Sequence, residues 1–213
     1  MSYVNQGEAA ARRLVGSLIA IGAAIMVAGC GGAGSVAAPA ATSSVVPRPN
    51  PLQAAPPIPA VKNPRDVAAV SSRPCDLLTA QQAGGFRLDM PPAQLTGLRG
   101  TQRCMWTKTT IPDRMIIRMV NVSMSTSGPT FEAVYERDRG LPTFELTDIA
   151  GYPAIVTRTN AKSPTCAVKI KTAEGQSLVV DYEDKDLAKD PQQSCVVGKQ
   201  VASAVLMNVP TKS

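Results

Sequence analysis

The side chains that carry most enzyme chemistry are sparse in this chain. It has 213 residues and no histidine, which removes Ser-His and Cys-His nucleophile arrangements and the commonest zinc ligand. Carboxylates and a serine-lysine pair remain. Glu132 and Glu136 share one helix face at i and i+4, a spacing that could offer two carboxylates to a substrate, although a solvated helix face is the expectation. Ser177 beside Lys169 and Lys171 across a hairpin could be drawn as a nucleophile and its base, but serine and lysine are common on strands. Asp181, Glu183, Asp184, Asp186 and Asp190 form an acidic loop. Set against the helix-loop-helix calcium pattern from Asp184, the glycine position holds Lys189 and the closing glutamate position holds Cys195, so the match fails. A solvated acidic turn with Lys185 and Lys189 as local partners is expected instead. No catalytic residue, metal or cofactor is expected.

Cysteine carries the clearest chemistry. Arg12 and Arg13 precede an apolar run from Leu14 to Ala28, which ends in Val27-Ala28-Gly29-Cys30. The run is roughly 15 residues, the length of a signal-peptide core and short of the roughly 20 a spanning helix needs. The tetrapeptide resembles the lipobox of bacterial lipoproteins. That resemblance implies that residues 1–29 are removed, that the Cys30 thiol becomes a thioether to diacylglycerol, and that the new amine can be acylated, for example with palmitate. The protein would then sit on the extracytoplasmic face of the cell membrane. One acyl chain binds a bilayer reversibly, whereas two or three hold firmly.

From Gly31 to about Pro64 the composition turns to Gly, Ala and Ser and then to Pro39, Pro47, Pro49, Pro51, Pro56, Pro57, Pro59 and Pro64. Such a stretch has too little apolar surface to offset its ordering entropy. Residues 30–70 therefore read as a lipid-anchored cysteine and a disordered linker, with Thr42, Ser43 and Ser44 as glycosylation candidates. Residues 71–213 read as one extracytoplasmic domain.

Within that domain Thr79 and Gln82 have the spacing of a capping box, with Gly84 and Gly85 stopping a short helix. A Pro/Gly-rich loop follows. Cys104-Met105-Trp106 and Met115 to Met124 read as strands. Thr130 caps a helix carrying Phe131, Val134 and Tyr135. Phe144 to Ile149 and Tyr152 to Thr159 flank a tight turn at Ala150-Gly151. Cys166, Val168 and Ile170 alternate with Ala167, Lys169 and Lys171, and Glu174-Gly175 turns that strand into Leu178, Val180 and Tyr182. A last helix starts at Pro191 with Asp190 as its cap and buries Cys195, Ala202, Val205 and Leu206. This order predicts an α+β domain, an antiparallel sheet with helices packed on one face.

Without Cys30, an even set remains: Cys75, Cys104, Cys166 and Cys195. In an oxidising compartment these are expected to form two disulfides rather than a metal site, since no pair has CxxC spacing. Of the three pairings, Cys75 with Cys104 and Cys166 with Cys195 is preferred, because each closes a local loop of equal length. With Cys30 acylated, no thiolate remains to act as a nucleophile.

Pro74-Cys75-x-Leu77-Leu78, Cys104-x-Trp106, Gly151-Tyr152-x-Ala154, Cys166 opening a strand and Cys195 on a final helix, in that order and with the lipobox, resemble the actinobacterial, chiefly mycobacterial, Lpp/Lpq/Lpr lipoproteins. Their extracytoplasmic domain is of unknown function. The resemblance implies location and disulfides and brings no catalytic residue with it.

The full chain carries a net charge of +6, and about +5 once Glu8, Arg12 and Arg13 are removed. Arg99, Arg103, Lys108, Arg114 and Arg118, with Lys169 and Lys171, form a candidate basic surface for an anionic envelope lipid, an anionic glycan or a protein partner. Nucleic acid is not expected for an exported chain with few aromatic residues. The expectation is a membrane-anchored binding or accessory module. The alternative is a small-molecule or lipid sensor or carrier partnered with a membrane protein. A histidine-free hydrolase ranks third.

Overall fold

Alternating apolar positions through the middle of the chain build a seven-stranded antiparallel sheet. The computed structural model describes residues 57–97 and 101–213. The expected signal peptide, Cys30, the linker hydroxyls and Arg99 lie outside the described residues. The strands are β1 (Ala93–Thr96), β2 (Gln102–Thr109), β3 (Ile116–Ser125), β4 (Glu145–Ile149), β5 (Tyr152–Thr157), β6 (Thr165–Ala173) and β7 (Gln176–Asp184). Their order in the sheet is β1-β2-β3-β7-β6-β5-β4. The helices are α1 (Ala80–Gly85), α2 (Phe131–Asp138) and α3 (Pro191–Met207).

Strand alternation divides the side chains between two faces. On the first, Cys104 and Trp106 of β2 stand beside Val122 and Val120 of β3, which continue through Val180 and Tyr182 of β7 to Val168 and Cys166 of β6. The inner stripe of α3 (Val201, Ala202, Val205, Leu206) closes over this face, and the 3-10 turn Pro74–Leu77 and α1 join the same core. The second face is covered differently. Ile155 of β5 points there, under Phe131, Val134 and Tyr135 of α2. The expectation that all helices pack on one face is thus corrected. The α2 stripe is short, and it matches the outward residues of β5 rather than the inner core.

The fold also begins earlier than composition suggests. Val67 is wholly buried in the main core, Arg65 bridges Thr211 and donates its amide to Thr172 O at 2.8 Å, and the Tyr152 hydroxyl donates to Asn63 O. Residues just before 71, placed in the linker by their prolines, form an additional ordered edge. The prolines do not oppose this, because an edge segment needs few amide donors. The described residues 57–97 and 101–213 belong to one compact unit.

Local rules account for most turns. Thr79 Oγ1 accepts from Gln82 N at 3.2 Å while Gln82 Oε1 accepts from Thr79 N at 2.9 Å, a complete capping box. Thr130 caps α2 by accepting from Ala133 N. Asp190 makes no side-chain cap on α3. Pro191 has no amide hydrogen to satisfy, so that helix start needs one donor fewer. Helix α1 includes both Gly84 and Gly85 rather than stopping before them. It is closed by Arg87 in the left-handed conformation (φ 58°), with Leu88 N donating to Ala83 O at 3.0 Å.

Both expected disulfides are present, Cys75–Cys104 and Cys166–Cys195, each spanning 29 positions. The first ties the 3-10 turn to β2 and the second ties the start of α3 to β6. On the chain-entropy model each loop contributes roughly 3 to 4 kcal/mol.

Candidate functional site

Helix α1 is too short to cover the first face alone, and it leaves a depression on either side. The Cys75–Cys104 disulfide fixes Leu77 and Leu78 against the sheet, and α1 then runs out over β2. After the reversal at Arg87, Leu88 is buried and the amides of Asp89 and Met90 donate to Thr107 O at 3.2 and 3.1 Å. That contact carries the chain round the edge of β2 into β1, a strand that the prolines at 91 and 92 conceal in the sequence. Between α1 and this returning loop lies a half-open groove of about 630 Å³. Leu78, Ala83, Leu88, Pro91 and Pro92 wall it, and Trp106, 1% exposed, reaches it from beneath. Its polar side chains, Asp76, Thr79 and Asp89, are exposed and stand at its rim. A volume of this size and an apolar lining with a few polar groups are what small-ligand sites share.

On the other side of α1, against α3, a cleft of about 400 Å³ has a charged floor. Arg118 of β3 donates through Nε to Asp184 Oδ2 at 2.7 Å and through Nη1 to Phe86 O at 3.3 Å. The Tyr182 hydroxyl donates to the same Asp184 oxygen at 3.0 Å, and Asp184 Oδ1 accepts from Asp186 N at 3.0 Å. Burial opposes the Arg118 charge, but Asp184 outweighs it and the guanidinium is held above its ordinary value. Burial and then the Asp184 charge push the Tyr182 phenol up, so Tyr182 stays protonated. The acidic loop is therefore not a wholly solvated turn. Asp184 is buried and satisfied by Arg118 and Tyr182, because strand alternation turns it inward with Tyr182 and Val180. A third depression of about 620 Å³, walled in part by Ser71, Ser72, Ser125 and Ser127, is lined by hydroxyls and by no charged side chain among the described residues.

The described basic residues do not form one surface. Arg103 is exposed on the second face, Arg114 is exposed at the tip of the β2-β3 hairpin, and Lys108 is half-buried beside Arg118 on the first face. Arg118 is buried in its ion pair. Lys169 donates to Pro129 O at 3.3 Å; burial and then Arg137 lower its affinity for a proton. Lys171 is buried under α2 and paired with Glu132 and Glu174. Sequence clustering misled here, since neighbours on a strand point to opposite faces and α2 covers the two lysines expected to face solvent.

The serine-lysine pair meets in register, Lys171 opposite Ser177. Its chemistry does not follow. Burial disfavours the ammonium, but Glu132 and Glu174 together outweigh it and hold Lys171 above its ordinary value, so its nitrogen is engaged as a cation in ion pairs rather than turned to Ser177. Glu132 is thereby tied to Lys171, away from a carboxylate pair with Glu136, which instead bonds Arg139 at 2.9 Å. Tyr135, Tyr152 and Tyr182 do not converge: Tyr135 is on the inner face of α2, Tyr182 lies under α3, and the Tyr152 hydroxyl donates to Asn63 O. Among the described residues, no group of three or more His, Cys, Asp or Glu side chains could hold a metal ion. Also among them, no helix is long and apolar enough to cross a membrane.

Fold and site together define a disulfide-braced α+β domain with an apolar groove beside a capped short helix. The chain belongs to the DUF3558 family of proteins of unknown function, whose model matches residues 25–208. Neither a curated protein nor a solved structure matches it.

Proposed function

We propose that this protein is a lipid-anchored lipoprotein of the actinobacterial cell envelope whose domain is a binding module, with the groove between α1 and the 88–92 loop as its ligand seat. The observation that carries this reading is the groove itself. It is apolar and floored by Trp106 and a disulfide, so it keeps its shape without a ligand and orders little on binding. Its chemistry suits an acyl chain or another apolar group, with Asp76, Thr79 and Asp89 meeting a polar head at the rim. The ionisable groups elsewhere on this face support binding over proton transfer, because Arg118, Asp184 and Tyr182 are locked to one another. The anchor rests on the Cys30 tetrapeptide, and the family match starts at residue 25, so that cysteine lies within the matched span. A carrier role with a membrane protein is the second reading, and the half-open groove favours it more than a solid core would.

Native mass spectrometry with lipid extraction, on protein purified from its own envelope, tests both parts. Acylation at Cys30, and an apolar ligand that is lost on denaturation and absent from Ala80→Phe, are the expected results. Ala80 is exposed on the groove wall, so that substitution fills the groove without touching the core. An unmodified Cys30 would refute the anchor. A ligand retained equally by Ala80→Phe would refute the seat.

A further inference from the structure

Among the described residues, four of the seven exposed large apolar side chains gather at one end of the sheet. Ile111 (95% exposed), Met115 (58%) and Ile116 lie on or beside the β2-β3 turn, and Met90 stands at the same end of the sheet, its amide bonded to Thr107 O near the end of β2. The other three, Leu141, Val196 and Met207, are scattered over α2-β4 and α3. The turn is a built structure: Thr110 N donates to Met115 O at 2.9 Å, Arg114 N to Thr110 O at 2.9 Å, and Met115 N to Thr110 Oγ1 at 3.3 Å. Arg114 is held at φ 52°, a conformation that costs a non-glycine residue energy and persists because these bonds enforce it. Isolated exposed apolar residues need no explanation, whereas a cluster on a rigid projection marks a contact surface. Cations Arg87, Lys108 and Arg114 stand at the same end, with Asp89 and Asp113 among them.

We propose that this hairpin tip inserts into the bilayer surface to which the chain is tethered. The chain outside the described fold supports that occupant. Residues 31–56 number about 26 and reach at most roughly 90 Å whatever their conformation, so a domain held by Cys30 stays at high effective concentration beside the lipid and a weak apolar tip is enough. The exit direction agrees. Arg65 bonds Thr172 near the β6-β7 turn, and the chain leading back from it reaches Ile58 against Phe144 and Leu146. It therefore runs toward the end of the sheet that carries Ile111 and Ile116. Docked this way, the Met90 rim of the groove would face the lipid as well. The inference rests on the membrane tether of the proposed function.

The test uses the chain from Cys30 to Ser213, its Cys30 thiol coupled to a maleimide-headed lipid in phosphatidylcholine-phosphatidylglycerol vesicles, with the disulfides intact. Tryptophan is placed at the tip by Ile111→Trp and, as a control, at the opposite end by Lys212→Trp. Doxyl-labelled lipid should quench Ile111→Trp and leave Lys212→Trp unquenched. Adding Met115→Ser and Ile116→Ser should weaken the tip's partition by about tenfold or more, with the far-UV circular dichroism and the urea midpoint in solution unchanged as evidence of folding. Equal quenching at both ends, none at the tip, or quenching insensitive to the serine substitutions would overturn the proposal and assign the tip to a protein partner. Because the coupling is chemical, a native Cys30 that proved unacylated would refute the anchor without altering this result.

Discussion

Arg118 and Asp184 are directly paired residues of the β3-β7 ladder, and their side chains meet at 2.7 Å on the buried face of the sheet. A buried pair of this kind need not add net stability, but breaking it strands a charge. Arg118→Met should therefore destabilise the domain by about 3 to 5 kcal/mol, while Arg118→Met with Asp184→Leu should recover most of that loss. Urea melts of the two variants check this, and a double variant as unstable as the single would show that the pair is needed as such. Tyr182→Phe should cost less, about 1 to 3 kcal/mol, since Arg118 still satisfies the carboxylate.

The β4-β5 turn carries its strain at Ala150. Ala150 (φ 52°) and Gly151 (φ 88°) are both left-handed, the pattern of a two-residue turn that favours Asn-Gly or Gly-Gly. Gly151 is suited to this and also donates to Asp148 Oδ1 at 2.7 Å. Ala150→Gly or Ala150→Asn should raise stability by roughly 1 kcal/mol, read as a higher denaturation midpoint with an unchanged slope.

Close packing between α3 and the sheet depends on Gly198. A Cβ there would lie 3.4 Å from Tyr182 Cβ and 3.6 Å from Cys166 Cβ. Gly198→Ala should be tolerated, since its methyl meets near-ordinary contacts and alanine gains up to about 1 kcal/mol of helix propensity. Gly198→Val should cost about 1 to 3 kcal/mol through overpacking. Thermal melts of the two variants should move apart, and similar melts would show that α3 can shift.

Acid should act on the second face with opposite signs at two carboxyls. Burial raises Asp181 above its ordinary 3.8, opposed by Arg103. Its contribution is fully present below 3.8 and is lost as pH rises through the raised value. A protonated Asp181 also suits Asn121, its ladder partner, whose buried Oδ1 lacks a partner. Asp181→Asn should be more stable than the parent at neutral pH and converge with it in acid. The Lys171 hydrogen bond holds Glu132 below its ordinary 4.5, against burial. That contribution is present above 4.5 and is lost as pH falls through the lowered value, so Glu132→Gln should be less stable at neutral pH and converge in acid. Denaturation at several pH values separates the two, and parallel curves would contradict the assignment.

Much of the secondary structure was legible in the sequence, because it rests on local rules. The Thr79 capping box, the Ala150-Gly151 turn and the alternation of Cys166, Val168 and Ile170 each follow from the geometry of a few adjacent residues. The cysteine pairing was also legible, since local loops are easily closed. Strand β1 was not, because an edge strand of four residues behind two prolines has little pattern of its own.

The site was far less legible. By itself the sequence determined every strand but β1, the helices, the even set of cysteines and the lack of a histidine-based nucleophile, since these depend on residue type and short spacing. The tertiary structure alone decided that Asp184 is buried, that Lys171 lies beneath α2, that α2 takes the face opposite α3, and that Leu78, Leu88 and Trp106 surround one groove. Each of these depends on which distant strands are neighbours and which way their side chains point. Such contacts are set by the packing of the whole sheet, and neighbouring residues in the chain carry almost no record of it.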